Sequence, residues 1–139
     1  MARIYKLAKL ADEQGAYGII CTFKANNVAV EAASIVSLAW WLTDLSGVVV
    51  NSRSNVTVSS IANPYTVVLT GADLQIFDKD APVEGRILTL KGTYNSTLGD
   101  GLAFTAAVLF DVLNLLVVAD DLYVSVIDVS FSADMISME

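Results

Sequence analysis

The sequence predicts an all-β protein: one antiparallel β-sandwich of about seven to eight strands, preceded by an N-terminal arm or short helix. Three observations carry this. Runs rich in Val, Ile, Thr and aromatic residues recur along the chain. They are separated by Asn, Asp, Gly and Pro turn signals at intervals of about 8–12 residues, as in sandwiches. Several of the runs alternate with period two, the spacing of a strand with one buried face.

Residues 1–16 differ from the rest. Arg3, Lys6 and Lys9 hold three of the eight basic side chains, and Ile4, Leu7 and Leu10 recur at spacing three. That spacing fits a short helix, and an extended arm ordered by what it docks onto fits equally. From Tyr17 onwards the pattern is β, and residues 17–139 read as a single sandwich domain. Residues 18–24 form a strand that ends at the turn-prone pair Asn26-Asn27. Residues 28–36 contain Ala32-Ala33 and are ambiguous.

A hairpin follows, with strands over residues 36–43 and 48–53. Asp44 and Gly47 stand at the first and last positions of a type I turn. Adjacent residues of a strand face opposite sides, so Trp40 and Trp41 cannot share one core. Trp40 is expected to anchor the sandwich. Trp41 is expected outside, covered either by a terminal segment or by a partner subunit, where Trp is enriched.

Residues 56–58 alternate cleanly, and Asn63-Pro64 breaks the chain before a strand at 65–70. After a polar loop at 78–85, a strand over 86–94 places Arg86, Leu88 and Leu90 on one face. Ile87, Thr89 and Lys91 lie on the other. Residues 95–101 make a turn into a strand over 102–112, where Phe104, Ala106, Val108 and Phe110 share a face. The C-terminal extension, about residues 113–139, contains a strong β segment at 122–132. It is either the last strand of the fold or a strand that adds to the edge of a neighbouring subunit. The Cys…Trp…Cys pattern of true immunoglobulin domains is absent, so "Ig-like" describes the architecture alone.

Composition narrows the function. Hydrophobic residues make up 55% and charged residues 17% of 139 residues, against about 25% charge in ordinary domains. A single domain of this size has too little interior for that much apolar material, so part of it is expected to face a partner. The longest apolar region, residues 102–119, is interrupted by Asp111 and Asn114, and no membrane span is expected. The formal net charge is −7, which disfavours nucleic acid. Histidine is absent, which removes the commonest acid–base residue and metal ligand. Cys21 is the lone cysteine and reads as a buried thiol. Asp78 with Asp80, Asp100, and Asp120 with Asp121 read as solvated turn residues. They lack the ligand spacing of a calcium loop. No catalytic set, phosphate loop or metal spacing is present, so no enzyme, cofactor or metal is expected.

Three motifs together resemble a known group: Trp40 to Arg53 (WWLTDLSGVVVNSR), Val68 to Leu74 (VLTGADL) and Arg86 to Gly99 (RILTLKGTYNSTLG). They are similar to small Ig-like β-sandwich virion proteins of tailed bacteriophages and prophages, over roughly residues 17–115. In that pattern the tryptophan aligns with Trp40, whereas the next position is usually small and polar, so Trp41 is a departure. The resemblance implies a non-enzymatic virion structural protein, made in the host cytoplasm and not secreted. Capsid decoration (cement) leads; a neck or tail component is the first alternative and a carbohydrate or host-surface binding module the second. The implied partners are copies of the chain itself and other virion proteins such as the major capsid protein. Assembly through apolar patches and terminal strand addition would place the interface at Ile4, Tyr5, Leu7, Leu10, Trp41, Tyr123, Val124, Val126 and Phe131.

Overall fold

The computed structural model describes residues 2–115 and 130–137. Its strands are β1 (Ala2–Lys6), β2 (Ala11–Asp12), β3 (Ala16–Ala25), β4 (Val28–Ala29), β5 (Ile35–Thr43), β6 (Val56–Thr57), β7 (Tyr65–Thr70), β8 (Val83–Ser96), β9 (Gly99–Leu113) and β10 (Ser130–Ser137). Seven of these reach five residues or more, in line with the strand number read from the turn spacing. The helical content of the described residues is two short 3-10 turns, Ala32–Ser34 and Gly71–Leu74. No described helix is long and apolar enough to cross a membrane.

Two sheets face each other. The larger runs β1-β9-β8-β5-β6, with β2 also on β9. The smaller runs β10-β3-β4, with β7 on the same side of β3 as β4. Alternation sorts the side chains as expected. Leu38, Trp40 and Leu42 of β5, Leu88 and Leu90 of β8, and Phe104, Ala106, Val108 and Phe110 of β9 are buried. They meet Tyr17, Ile19, Cys21 and Phe23 of β3 and Val67 and Leu69 of β7. Ring contacts join the layers: Tyr17 stacks on Phe110 at 4.9 Å and Phe23 meets Phe104 edge-on at 5.7 Å. Cys21 is fully buried, and burial pushes its thiol up to about 12.

Four expectations are corrected. Residues 2–6 and 11–12 are strands, so the helical alternative for the N-terminus falls. The spacing-three pattern has another cause. Leu7, just past the first short ladder with β9, and Ala11, within the second, are buried, while Ile4 points outward. The arm is therefore part of the larger sheet. Second, the sheets are not purely antiparallel: β1, β2 and β10 all pair in parallel with their neighbours. Third, the strand expected over 48–53 shrinks to a single bridge between Thr43 and Val49. Asn51, Ser52 and Asn55 take left-handed φ values of 53°, 56° and 50°, which no strand accommodates. Fourth, β8 and β9 extend well beyond the expected 86–94 and 102–112, pairing almost continuously from Val83↔Leu113 to Ser96↔Gly99. The ambiguous stretch 28–36 resolves into β4, a 3-10 turn and the start of β5. Asn26 and Asn27, with φ of 51° and 64°, reverse the chain before β4.

Candidate interaction surfaces

The residues expected to form an interface do not lie together. Ile4 is 72% exposed on the outer face of β1, whereas Tyr5 packs partly against the core and Leu7 belongs to it. Leu10 is half-buried. Trp41 is half-buried on the outer face of β5, opposite Thr89 of β8, and Lys91 Nζ lies 5.4 Å from its ring centroid. Trp40, on the inner face, is the core residue. Phe131 sits in β10 at the register position of Ile19. Tyr123, Val124 and Val126 lie outside the described residues.

A different surface emerges at the tip that holds the Asp44–Gly47 turn. Asp44 Oδ1 accepts the backbone N–H groups of Ser46 (2.8 Å) and Val48 (3.0 Å), and the Gly47 N–H donates to the Asp44 carbonyl. Gly47 has φ 89°, so the turn runs on into a left-handed position that glycine fills without strain. This geometry holds Leu45 and Val48 outward at 63% and 62% exposure. Leu45 rests on Gly85, where a Cβ would come within 2.7 Å of its Cδ1. Phe77, 59% exposed, lines the same shallow cleft of about 240 Å³ with Leu45, Ser46, Asp44, Glu84 and Gly85. Sequence reasoning passed over this tip because turns are normally polar. A leucine inside Asp44-Leu45-Ser46-Gly47 was the available signal.

Buried charge builds the tip from below. Glu84 accepts from the Phe77 N–H (3.1 Å) and the Asp78 N–H (2.8 Å), and its Oε2 lies 2.7 Å from Arg86 Nη2. Arg86 is fully buried, donates to the Gly85 and Gln75 carbonyls, and places its guanidinium 5.3 Å from the Phe77 ring centroid. Its Nε has no partner among the described residues. A second clamp ties residues 51–53 to the 3-10 turn after β7. Asp73 accepts from Arg53 Nε (2.8 Å), Asn51 Nδ2 (2.8 Å) and the Thr70 N–H (3.1 Å). Arg53 also lies over the Trp40 ring, its Cζ 5.8 Å from the centroid. Asn114 fastens the loop before β8 by donating to the Lys79 and Ala81 carbonyls.

These contacts set a pH dependence. Burial opposes ionisation of Asp73, but Arg53, Asn51 and the Thr70 N–H outweigh it and hold the carboxyl below its ordinary value. Glu84 is lowered in the same way: burial opposes, while the Asp78 N–H, Arg86 and the Phe77 N–H prevail. A carboxyl with a lowered folded pKa stabilises the fold above its unfolded value and loses that contribution as pH falls through the folded one. Urea midpoints are therefore expected to hold near neutrality and to drop below about pH 4, the unfolded carboxylate range. Replacing Asp73 by Asn is expected to flatten that drop.

No family model matches the chain, and no curated protein matches it.

Proposed function

We propose that the chain is a non-enzymatic structural protein of a tailed-phage particle, most simply one that decorates the capsid. The resemblance of residues 17–115 to phage Ig-like sandwiches supplies the setting. The observation that carries the assembly role is the apolar tip. Leu45 and Phe77 stand outward along one cleft, with Val48 outward on the same hydrogen-bonded turn as Leu45. Isolated exposed apolar residues need no explanation, whereas a cluster pinned in place from beneath is what a contact surface requires.

The proposed contact is burial of this tip against another virion protein, the major capsid protein or a further copy. Within the chain the terminal strands β1 and β10 pair with β9 and β3, so the tip takes precedence over strand addition by the termini. A carbohydrate platform is less well supported. Trp41, the aromatic residue that reading needs, is half-buried and has Lys91 over its ring. The test is the number and position of copies in purified particles. On the order of hundreds, spread over the head lattice, fits decoration. A few copies confined to one vertex would move the assignment to neck or tail.

A further inference from the structure

We propose that the outer edge of β7, unpaired among the described residues, pairs with β7 of a second copy, antiparallel and centred on Val68. The inference concerns self-association and stands apart from the virion assignment.

The backbone defines which groups are available. The Gly71 N–H donates to the Gly15 carbonyl, which fixes the phase of the β3–β7 ladder. In an antiparallel pair, hydrogen-bonded and non-hydrogen-bonded positions alternate. The bonded pairs are then Tyr17↔Leu69, Ile19↔Val67 and Cys21↔Tyr65. Thr66, Val68 and Thr70 turn their N–H and C=O groups away from β3. The same phase turns Gly18 and Ile20 of β3 to the other side, where β10 lies beside them. The Thr70 N–H is taken by Asp73 Oδ2. Among the described residues nothing bonds the outward groups of Thr66 and Val68, and β7 pairs only with β3.

This edge lacks the devices that protect the others. Exposed edges are usually blunted by charge, proline, bulges or shortness. Here β1 carries Lys6, β10 shifts register between Ala133 and Ile136, and β4 and β6 are two residues each. β7 is six residues without charge or proline, and its register with β3 is unbroken. The nearest acid, Asp73, is neutralised by Arg53. The edge is thus locally neutral in a chain of net charge −7.

The sequence identifies the occupant. Thr66-Val67-Val68-Leu69-Thr70 is close to a palindrome in side-chain shape about Val68. A two-fold axis through Val68 sets Val68 against Val68, Thr66 against Thr70, and Val67 against Leu69. Val68 then exchanges both of its bonds with its counterpart. Each Thr66 N–H meets a Thr70 carbonyl, which uses the one outward group of Thr70 that Asp73 leaves free. Val67 and Leu69 stay buried in each core, while Thr66, Val68 and Thr70 lie on the outer face. Cross-strand Val–Val and Thr–Thr pairs of this kind stabilise sheets. The joined sheet runs β10-β3-β7-β7-β3-β10. An isologous contact of this kind closes on itself as a dimer.

The test is sedimentation velocity of the full chain beside Val68→Lys and Val68→Glu, with Leu98→Lys as control. Val68 is 59% exposed and Leu98 72%, so neither site burdens the core. Circular dichroism melts confirm folding of each variant. The wild type and Leu98→Lys are expected to be dimeric. Each Val68 variant opposes its own charge across the axis and weakens the dimer at least about tenfold. Mixing Val68→Lys with Val68→Glu restores a dimer, a rescue possible only where a position faces itself. A monomeric wild type, a dimer that persists in Val68→Lys, or a mixture that stays monomeric would each overturn the proposal.

Discussion

Replacing Glu84 by Ala is expected to cost roughly 3–5 kcal/mol of unfolding free energy, the range for stripping one partner from a buried ion pair. The size follows from Arg86. Its side chain has no solvent exposure, and Glu84 stands 2.7 Å away. Without the carboxylate a buried guanidinium remains, held by the Gly85 and Gln75 carbonyls and the face of the Phe77 ring. The N–H groups of Phe77 and Asp78 lose their acceptor at the same time. The double variant Glu84→Ala/Arg86→Met is expected to recover much of the loss, since an apolar side chain of similar length removes the buried charge altogether. Chemical denaturation of the four chains in a double-mutant cycle checks this. Additive losses would show that Glu84 acts through the loop and not through Arg86.

Gly92→Ala is the second large effect, expected to lower stability by about 3 kcal/mol, the upper part of the overpacking range. Gly92 lies on β8 opposite Leu38, beside the irregularity in the β5–β8 register. A Cβ there would fall 2.1 Å from the Ser37 carbonyl oxygen and 2.8 Å from the Phe104 ring. The ring is wedged between Phe23 and Tyr94, and the carbonyl belongs to a strand. Neither can yield without moving the core. For a domain of this length the thermal midpoint should fall by about 10 °C. An unchanged midpoint would mean that β5 shifts freely at its bulge.

Local pattern made much of this fold legible. Alternation placed Arg86, Leu88 and Leu90 on one face and divided Trp40 from Trp41, because period two is a property of the strand itself. What failed was non-local. The parallel pairing of Ala2–Lys6 with β9 spans about a hundred residues of sequence and leaves no local mark, so Ile4, Leu7 and Leu10 imitated a helix. Residues 48–53 carried β-forming valines, but the polar string Asn51-Ser52-Arg53-Ser54-Asn55 turned them into a loop pinned on Asp73. The apolar tip was hidden for the same reason: Leu45 and Phe77 are far apart in sequence, and only the fold brings them to one cleft. That the outer edge of β7 has no pairing strand among the described residues depends on sheet order, which residue spacing does not encode.

The proposed role of this sandwich is that of an assembly component, bound in particles through its apolar tip. Quantitative mass spectrometry of purified particles tests it most directly, with wild-type chain and Phe77→Asp supplied together and distinguished by mass. Wild-type chain is expected as a stoichiometric component, with strong depletion of Phe77→Asp relative to its share of the supply. Particles that lack the chain, or that take up both forms equally, would contradict it.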